Sequence, residues 1–298
     1  MRRDSIERMV RAWLAGAMVL AGMAGVGAQE APAAPSRLRL YVLDCGLINV
    51  NRAGTERYQV TPEEVGETRF SVPCFLVAHP LGTLIWELGV VPDDTVEARA
   101  RGEEGNPTVT SAAVAPVSRT LRSQLAELGY RPEDITYFAF SHAHVDHNAN
   151  ANMFAASTWL ARPAERAFMW EQGNTRVNRT FFEDIERSTT ILLETDEYDV
   201  FGDAAVIMKA APGHSPGHQV LVLNLESTGR VMLGGDLYHY PQERTLQRPP
   251  PATEFSVEQS AASRVVIEEY LQRTKTELWI EHDFVANAKL KKAPAYYD

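Results

Sequence analysis

The sequence predicts an α/β fold of two β-sheets packed face to face with helices on the outer faces. Strand-like runs occur in both halves of the 298-residue chain, with helical patterns between them. Gly and Pro signals separate the runs, and no linker or composition shift divides residues 37–298, so one domain is expected. Periodicity alone does not select this layering over other α/β arrangements; the motifs described below do.

In chain order, the first segment reads as an export signal. Arg2, Arg3, Arg8 and Arg11 form a positive n-region, Trp13 to Val26 is uncharged, and Val26-Gly27-Ala28 fits a small-residue cleavage site. The uncharged stretch has 14 residues, short of the ~20 that span a bilayer. Residues 1–28 are therefore expected to be a signal peptide and residues 29–36, rich in Ala and Pro, a disordered lead-in. The mature protein is expected to be periplasmic or secreted, with no membrane association after cleavage.

Arg37 to Asp44, Phe70 to His79 and Thr83 to Trp86 read as strands of an antiparallel opening sheet. Leu47 to Arg69 is polar and irregular, a loop placed to cover a site. Pro116 to Gly129 reads as a helix, with Val117, Leu121, Leu125 and Leu128 on one face and a glycine stop. Ile135 to Phe140 is a buried strand, followed by a short helix at Ala149 to Phe154, a strand at Ser157 to Ala161 and a helix opened by Pro163. Thr190 to Glu194, Ala205 to Ala211, His218 to Leu225 and Arg230 to Gly234 read as further strands. Ser256 to Arg273 reads as an amphipathic helix and Leu278 to Ile280 as a last strand.

Directly after the Ile135–Phe140 strand stands His142-Ala143-His144-Val145-Asp146-His147. Only 8 of 298 residues are His, so three at set positions arise by chance on the order of 10⁻⁵ per window. Imidazole and carboxylate suit zinc and similar divalent ions, and a strand end supplies a rigid base. Three other strand-end loops carry the same chemistry: Pro212-Gly213-His214-Ser215-Pro216-Gly217-His218, Gly234-Gly235-Asp236 and Glu281-His282-Asp283. Glycines before His214 and Asp236 let the backbone turn tightly beside an ion. One loop bearing both His142/His144 and Asp146/His147 can serve two adjacent ions, and two are expected.

With these motifs the chain resembles the metallo-β-lactamase superfamily and, within it, the N-acyl-homoserine lactonase group. The nearer likeness adds Leu40-Tyr41-Val42-Leu43-Asp44-Cys45-Gly46, Val72-Pro73-Cys74-Phe75-Leu76-Val77 and Trp279-Ile280-Glu281-His282-Asp283. The resemblance implies a four-layer αββα sandwich over residues 37–298. It implies that His142, His144 and His214 hold one metal, that Asp146, His147 and His282 hold a second, and that Asp236 bridges both around a hydroxide. The cofactors it implies are two divalent ions, zinc first, with cobalt, manganese or iron as alternatives. It implies hydrolysis of a lactone, with Asp146 shuttling a proton to the leaving alkoxide.

The alternatives are another ester, thioester or organophosphate hydrolase of the same superfamily, a β-lactamase, and a catalytically dead scaffold. An aspartate at position 236 argues against the β-lactamase, and a complete ligand set argues against the scaffold. Family likeness also leans toward a homodimer.

Two departures from the lactonase pattern stand out. Glu87-Leu88-Gly89 replaces an Asp-Thr-Gly; Glu87 can take over as hydrogen-bond acceptor for a ligand, but its longer side chain puts that in doubt. The oxyanion tyrosine expected three residues after the bridging Asp is His239, flanked by Tyr238 and Tyr240; Tyr238 is taken as the catalytic candidate. His218 is read as a support for the site and His79 as a strand end.

Composition narrows the partners. Removing residues 1–28, with Arg2, Arg3, Arg8, Arg11, Asp4 and Glu7, takes the net charge from −10 to −12, which disfavours nucleic acid and leaves a small molecule as substrate. Phe168, Met169, Trp170, Phe181 and Phe182 flank the polar insert Glu171–Thr180, either as a lid for an acyl chain or as core packing, with packing the weightier. Cys45 and Cys74 fall in core strands and are expected as buried free thiols, with geometry deciding any bridge.

Overall fold

Strand alternation builds the molecule, seen here in a computed structural model that describes residues 31–103, 114, 115 and 117–298. The expected signal peptide lies outside the described residues, as does Pro116; residues 31–36 form no helix or strand. The first half contains β1 (Arg39–Ile48), α1 (Arg52–Arg57), α2 (Pro62–Val65), β2 (Phe70–His79), β3 (Gly82–Trp86), α3 (Asp93–Ala100), α4 (Leu121–Glu127), β4 (Tyr137–Ala139) and α5 (Val145–Asn148). There follow β5 (Thr158–Ala161), α6 (Pro163–Trp170), β6 (Thr190–Leu192), β7 (Glu197–Asp199), β8 (Val206–Ala210), β9 (Gln219–Leu225) and β10 (Gly229–Leu233). The chain ends with α7 (Pro241–Thr245), α8 (Val257–Thr274), β11 (Glu277–Trp279), α9 (Phe284–Asn287) and β12 (Tyr296–Tyr297).

The strands form a seven-stranded sheet, β12-β1-β2-β3-β4-β5-β6, and a five-stranded sheet, β11-β10-β9-β8-β7. As expected, β1, β2 and β3 are antiparallel; β3 to β6 then run parallel. Along β1, Leu40 and Val42 face the space between the sheets while Tyr41, Leu43 and Cys45 face the opposite way, and β2 divides Phe75 and Val77 from Cys74, Leu76 and Ala78 in the same manner. From the second sheet, Val206, Met208, Leu221, Leu223, Val231 and Leu233 enter the shared inter-sheet core, whereas Val220, Val222 and Met232 pack beneath Ile267 and Leu271 of α8. These three cores make the αββα layering. Each fully buried aliphatic side chain contributes roughly 1.5–3 kcal/mol.

The alternation corrects the expectation of free thiols. Cys45 and Cys74 lie on the same face of adjacent strands, Leu43 pairs with Cys74, and the two cysteines are joined as a disulfide with Cα atoms 5.7 Å apart. A pairing that sequence spacing does not reveal brought them within bonding reach.

Other differences are local. The helix expected from Pro116 starts only at Leu121, where the Thr120 side chain accepts the Ser123 amide and sets the terminus. The loop from Leu47 holds two short helices, α1 capped by Asn51 and α2 by a Thr61–Glu64 capping box. Helix α8 buries Ser260, Ser263, Arg264, Ile267 and Leu271, a largely polar inner stripe rather than an apolar one. It is polar because it supports the loops of the site. The aromatic cluster flanking Glu171–Thr180 is core packing: Phe168, Met169, Phe181 and Phe182 are all buried. Among the described residues no helix is long and apolar enough to cross a membrane.

Candidate metal centre

The loops that leave the carboxyl ends of β4, β8, β10 and β11 converge on one edge of the two sheets. They bring His142, His144, His214 and Asp236 into one group of facing ligand atoms and Asp146, His147 and His282 into another. In the first group His144 Nδ1 lies 2.8 Å from His142 Nε2 and 3.0 Å from His214 Nε2. In the second, the Asp146 oxygens lie 3.8 Å from His147 Nε2 and 3.6 Å from His282 Nε2. Asp236 stands between them. Its Oδ2 is 3.2 Å from His214 Nε2 and 3.7 Å from His142 Nε2, while its Oδ1 is 3.1 Å from His282 Nε2 and 3.3 Å from His147 Nε2.

The outward ring nitrogens are held by the protein. Glu87 Oε2 meets His147 Nδ1 at 3.1 Å, Glu254 Oε1 meets His214 Nδ1 at 3.1 Å, and the Ser71 carbonyl meets His282 Nδ1 at 2.9 Å. An acceptor at Nδ1 places the proton there and turns the Nε2 lone pair inward. Several inward lone pairs therefore face the carboxylate oxygens of Asp236, an electron-rich space that only a cation satisfies. His147 Nε2 and Asp236 Oδ1 are buried there without a hydrogen bond. The residues present thus fit divalent ions. Burial, reinforced by the neighbouring rings of His147, His144 and His214, keeps His142 well below the ordinary imidazole range and hence neutral.

The loops are braced from behind. Glu165, buried in the first turn of α6, accepts the Ala143 amide at 2.7 Å, the Ser215 hydroxyl at 2.5 Å and the Gly217 amide at 2.8 Å, tying the His142 and His214 loops together. Glu254, which orients His214, is fixed by Ser260 of α8 at 2.6 Å. His218 Nδ1 donates to the Ala211 carbonyl and its Nε2 accepts the Asp236 amide, both at 3.0 Å, so it orients the Asp236 loop as a support. Burial pushes His218 down to about 3, which keeps Nε2 an acceptor. Two glycines are required by contact. Gly213 has φ +139° and a Cβ there would sit 2.2 Å from the Ser260 amide; Gly235 has φ +49° and a Cβ would sit 2.4 Å from Ser141. His79 closes β2 and pairs with Asp203, away from the ligand groups.

Tyr238 is corrected. Its hydroxyl donates to Glu268 at 3.2 Å, and its ring packs with α8 beneath Arg264, so it faces away from Asp236. Extended backbone at Tyr238 and Tyr240 alternates the side chains and sends His239 to the site instead. His239 Nε2 is 3.1 Å from Asp236 Oδ2; burial lowers its basicity, but Asp236 outweighs this and raises it to about 10. Tyr240 donates to the Thr68 carbonyl at 2.7 Å.

Glu87 makes the contact its length put in doubt, accepting the Ser141 amide at 3.1 Å as well as meeting His147. Glu165, Glu254 and Glu243, which accepts the His239 and Tyr240 amides at 2.6 and 2.8 Å, were not anticipated. Each stands near a helix start, where an acidic residue is ordinary, so nothing local marked them. Tyr58, whose ring lies 4.0 Å from that of His239, was not anticipated beside the site either. Beside His282 a cavity of about 280 Å³ is lined by Val65, Tyr240, Phe284 and Val285, with Glu67, Asp283 and Lys289 also on its wall.

A model of the metallo-beta-lactamase superfamily matches residues 68–268. The N-acyl homoserine lactonase AttM of Azorhizobium caulinodans is 27% identical over 266 residues, covering 88% of this chain and 99% of that protein. Among solved structures, an N-acyl homoserine lactone hydrolase with N-hexanoyl-L-homoserine at its catalytic metal centre superposes with a TM-score of 0.70 at 22% identity, over 87% of this chain and 98% of its own. The dizinc quorum-quenching lactonase AidC superposes with a TM-score of 0.60 at 16% identity, over 88% and 94%.

Proposed function

This chain belongs to the metallo-beta-lactamase superfamily, and from that premise we propose that it is a dinuclear metal-dependent lactonase that opens the ring of N-acyl homoserine lactones. One observation carries the reading: a single carboxylate, Asp236, turns one oxygen to each histidine group. Its length-matched relatives named as lactonases support the substrate class. His142, His144 and His214 would hold one ion, Asp146, His147 and His282 the other, and Asp236 both; zinc is the ion we propose. Two such ions, when bound, acidify water and polarise the ester carbonyl.

The chain's own residues do the rest. Glu87, Glu254 and the Ser71 carbonyl fix the ligand rings, so little reorganisation is left for the reaction itself. Asp146 is 17% exposed where His147 and His282 are buried, which suits it to pass a proton to the leaving alkoxide. Val65, Phe284 and Val285 beside His282 offer apolar surface to an acyl chain.

Purified protein loaded with zinc, cobalt or manganese is expected to hydrolyse homoserine lactones of short and long acyl chain, to lose this activity with chelator, and to bind two ions per chain. Turnover of nitrocefin or paraoxon with inert lactones would overturn the substrate assignment. One tightly held ion would overturn the bridge. We also propose export to the periplasm or medium. The positive n-region and small-residue site before Gln29 support it, as does a disulfide, a bond that persists in oxidising compartments. Cell fractionation with N-terminal sequencing of the product tests this.

A further inference from the structure

Tyr58 ends helix α1 and belongs to a small aromatic cluster with Val60, Phe70 and Tyr240, separate from the sandwich cores. This cluster leans on the metal centre. Phe70 stacks on His282 with ring centres 4.5 Å apart, and the Tyr58 ring lies 4.0 Å from that of His239, the imidazole in contact with Asp236. The three phenols near this edge differ in their commitments. Tyr238 donates to Glu268 and Tyr240 to the Thr68 carbonyl, whereas the Tyr58 hydroxyl has no hydrogen-bond partner among the described residues.

The position of Tyr58 is rigid. Asn51 caps its helix, the next residue, Gln59, turns the chain with φ +59°, and the Gln59 amide reaches the Pro249 and Pro250 carbonyls at 3.3 and 3.2 Å. A fixed, uncommitted donor beside a reaction centre is poised to meet charge that appears only during reaction. Burial raises the Tyr58 phenol far above its usual range, and the charges of Asp236 and Asp146 add to this, so the proton stays on.

Resting on the lactonase reading, we propose that the Tyr58 hydroxyl donates a hydrogen bond to the substrate oxygen on which negative charge develops as the lactone opens. Tyr58 is then a catalytic residue, supplied by the segment before β2 and not by the Asp236 loop. It donates a hydrogen bond and keeps its proton.

The test compares wild type and Tyr58→Phe, both loaded with zinc. The expected result is a fall in kcat on the order of 100-fold with KM little changed, an unchanged metal count and thermal midpoint, and weaker calorimetric binding of N-hexanoyl homoserine. Equal kcat in both proteins would overturn the proposal alone. A variant that loses metal or melts early would overturn it in favour of a scaffold role. Wild-type protein that binds two ions yet leaves every lactone intact would overturn the lactonase reading, and this inference with it.

Discussion

The two halves of the metal centre meet at Asp236 but are built differently. His142, His144 and His214 form an all-imidazole group whose facing nitrogens come within 2.8–3.0 Å, and Glu165 ties its two loops together. Asp146, His147 and His282 stand wider, at 3.6–3.8 Å, with an anionic and partly exposed ligand and an aromatic wall at Phe70 and Tyr58. The difference teaches a division of labour. A set of imidazoles whose two loops are tied together suits holding an ion, whereas a set that includes a carboxylate suits proton exchange with water and substrate.

The strongest way to break this comparison is Asp236→Ala. Loss of the one side chain facing both groups is expected to lower kcat/KM by more than about 100-fold, since even supporting residues around a metal cost 10–100-fold. Metal analysis is expected to find at most one ion, and retention of two would contradict the bridge.

Next in size is the disulfide. The Val90 amide donates to the Cys45 carbonyl, and a Cβ at Gly89 would lie 2.9 Å from Cys45, so the bridge stands behind the segment that presents Glu87 to His147. Cutting a cross-link of separation 29 is expected to cost about 3–4 kcal/mol of stability. Denaturation of Cys45→Ser/Cys74→Ser protein reads this directly. If the second group is the one affected, its ion is released more readily while the first is kept.

Glu87→Gln and Glu254→Gln sharpen the same contrast. Each is expected to weaken one ion by roughly 10–100-fold, the second and the first respectively. Chelator competition followed by metal counting separates them, and equal loss of both ions from either variant would erase the distinction. The smallest effect belongs to Tyr238→Phe. It removes the bond to Glu268 and is expected to lower stability by about 1 kcal/mol without changing kcat.

Much of the centre was legible before any fold was known. The spacing from His142 to His147, and the strand-end positions of His214, Asp236 and His282, follow from residue chemistry and period-2 runs that local sequence carries. The structure gathers all seven. The Tyr238 assignment failed because counting residues from Asp236 does not state which face an extended segment turns inward; His239 took the inward place and Tyr238 packed on α8.

By itself the sequence determined the alternating strands and helices, the histidine and aspartate motifs at strand ends and the glycines that let their loops turn, and through the family resemblance of those motifs it implied the two-sheet layering and the seven candidate ligands. Only the tertiary structure decided the Cys45–Cys74 bridge, the polar inner stripe of α8, the Glu87, Glu165 and Glu254 braces, and the place of Tyr58 over His239. The reason is physical. Ligand type and strand period are properties of neighbouring residues, whereas a cross-strand bond, a buried brace or a ring stacked over the site depends on which distant segments pack together. An acid at a helix start looks alike whether it meets water or a histidine.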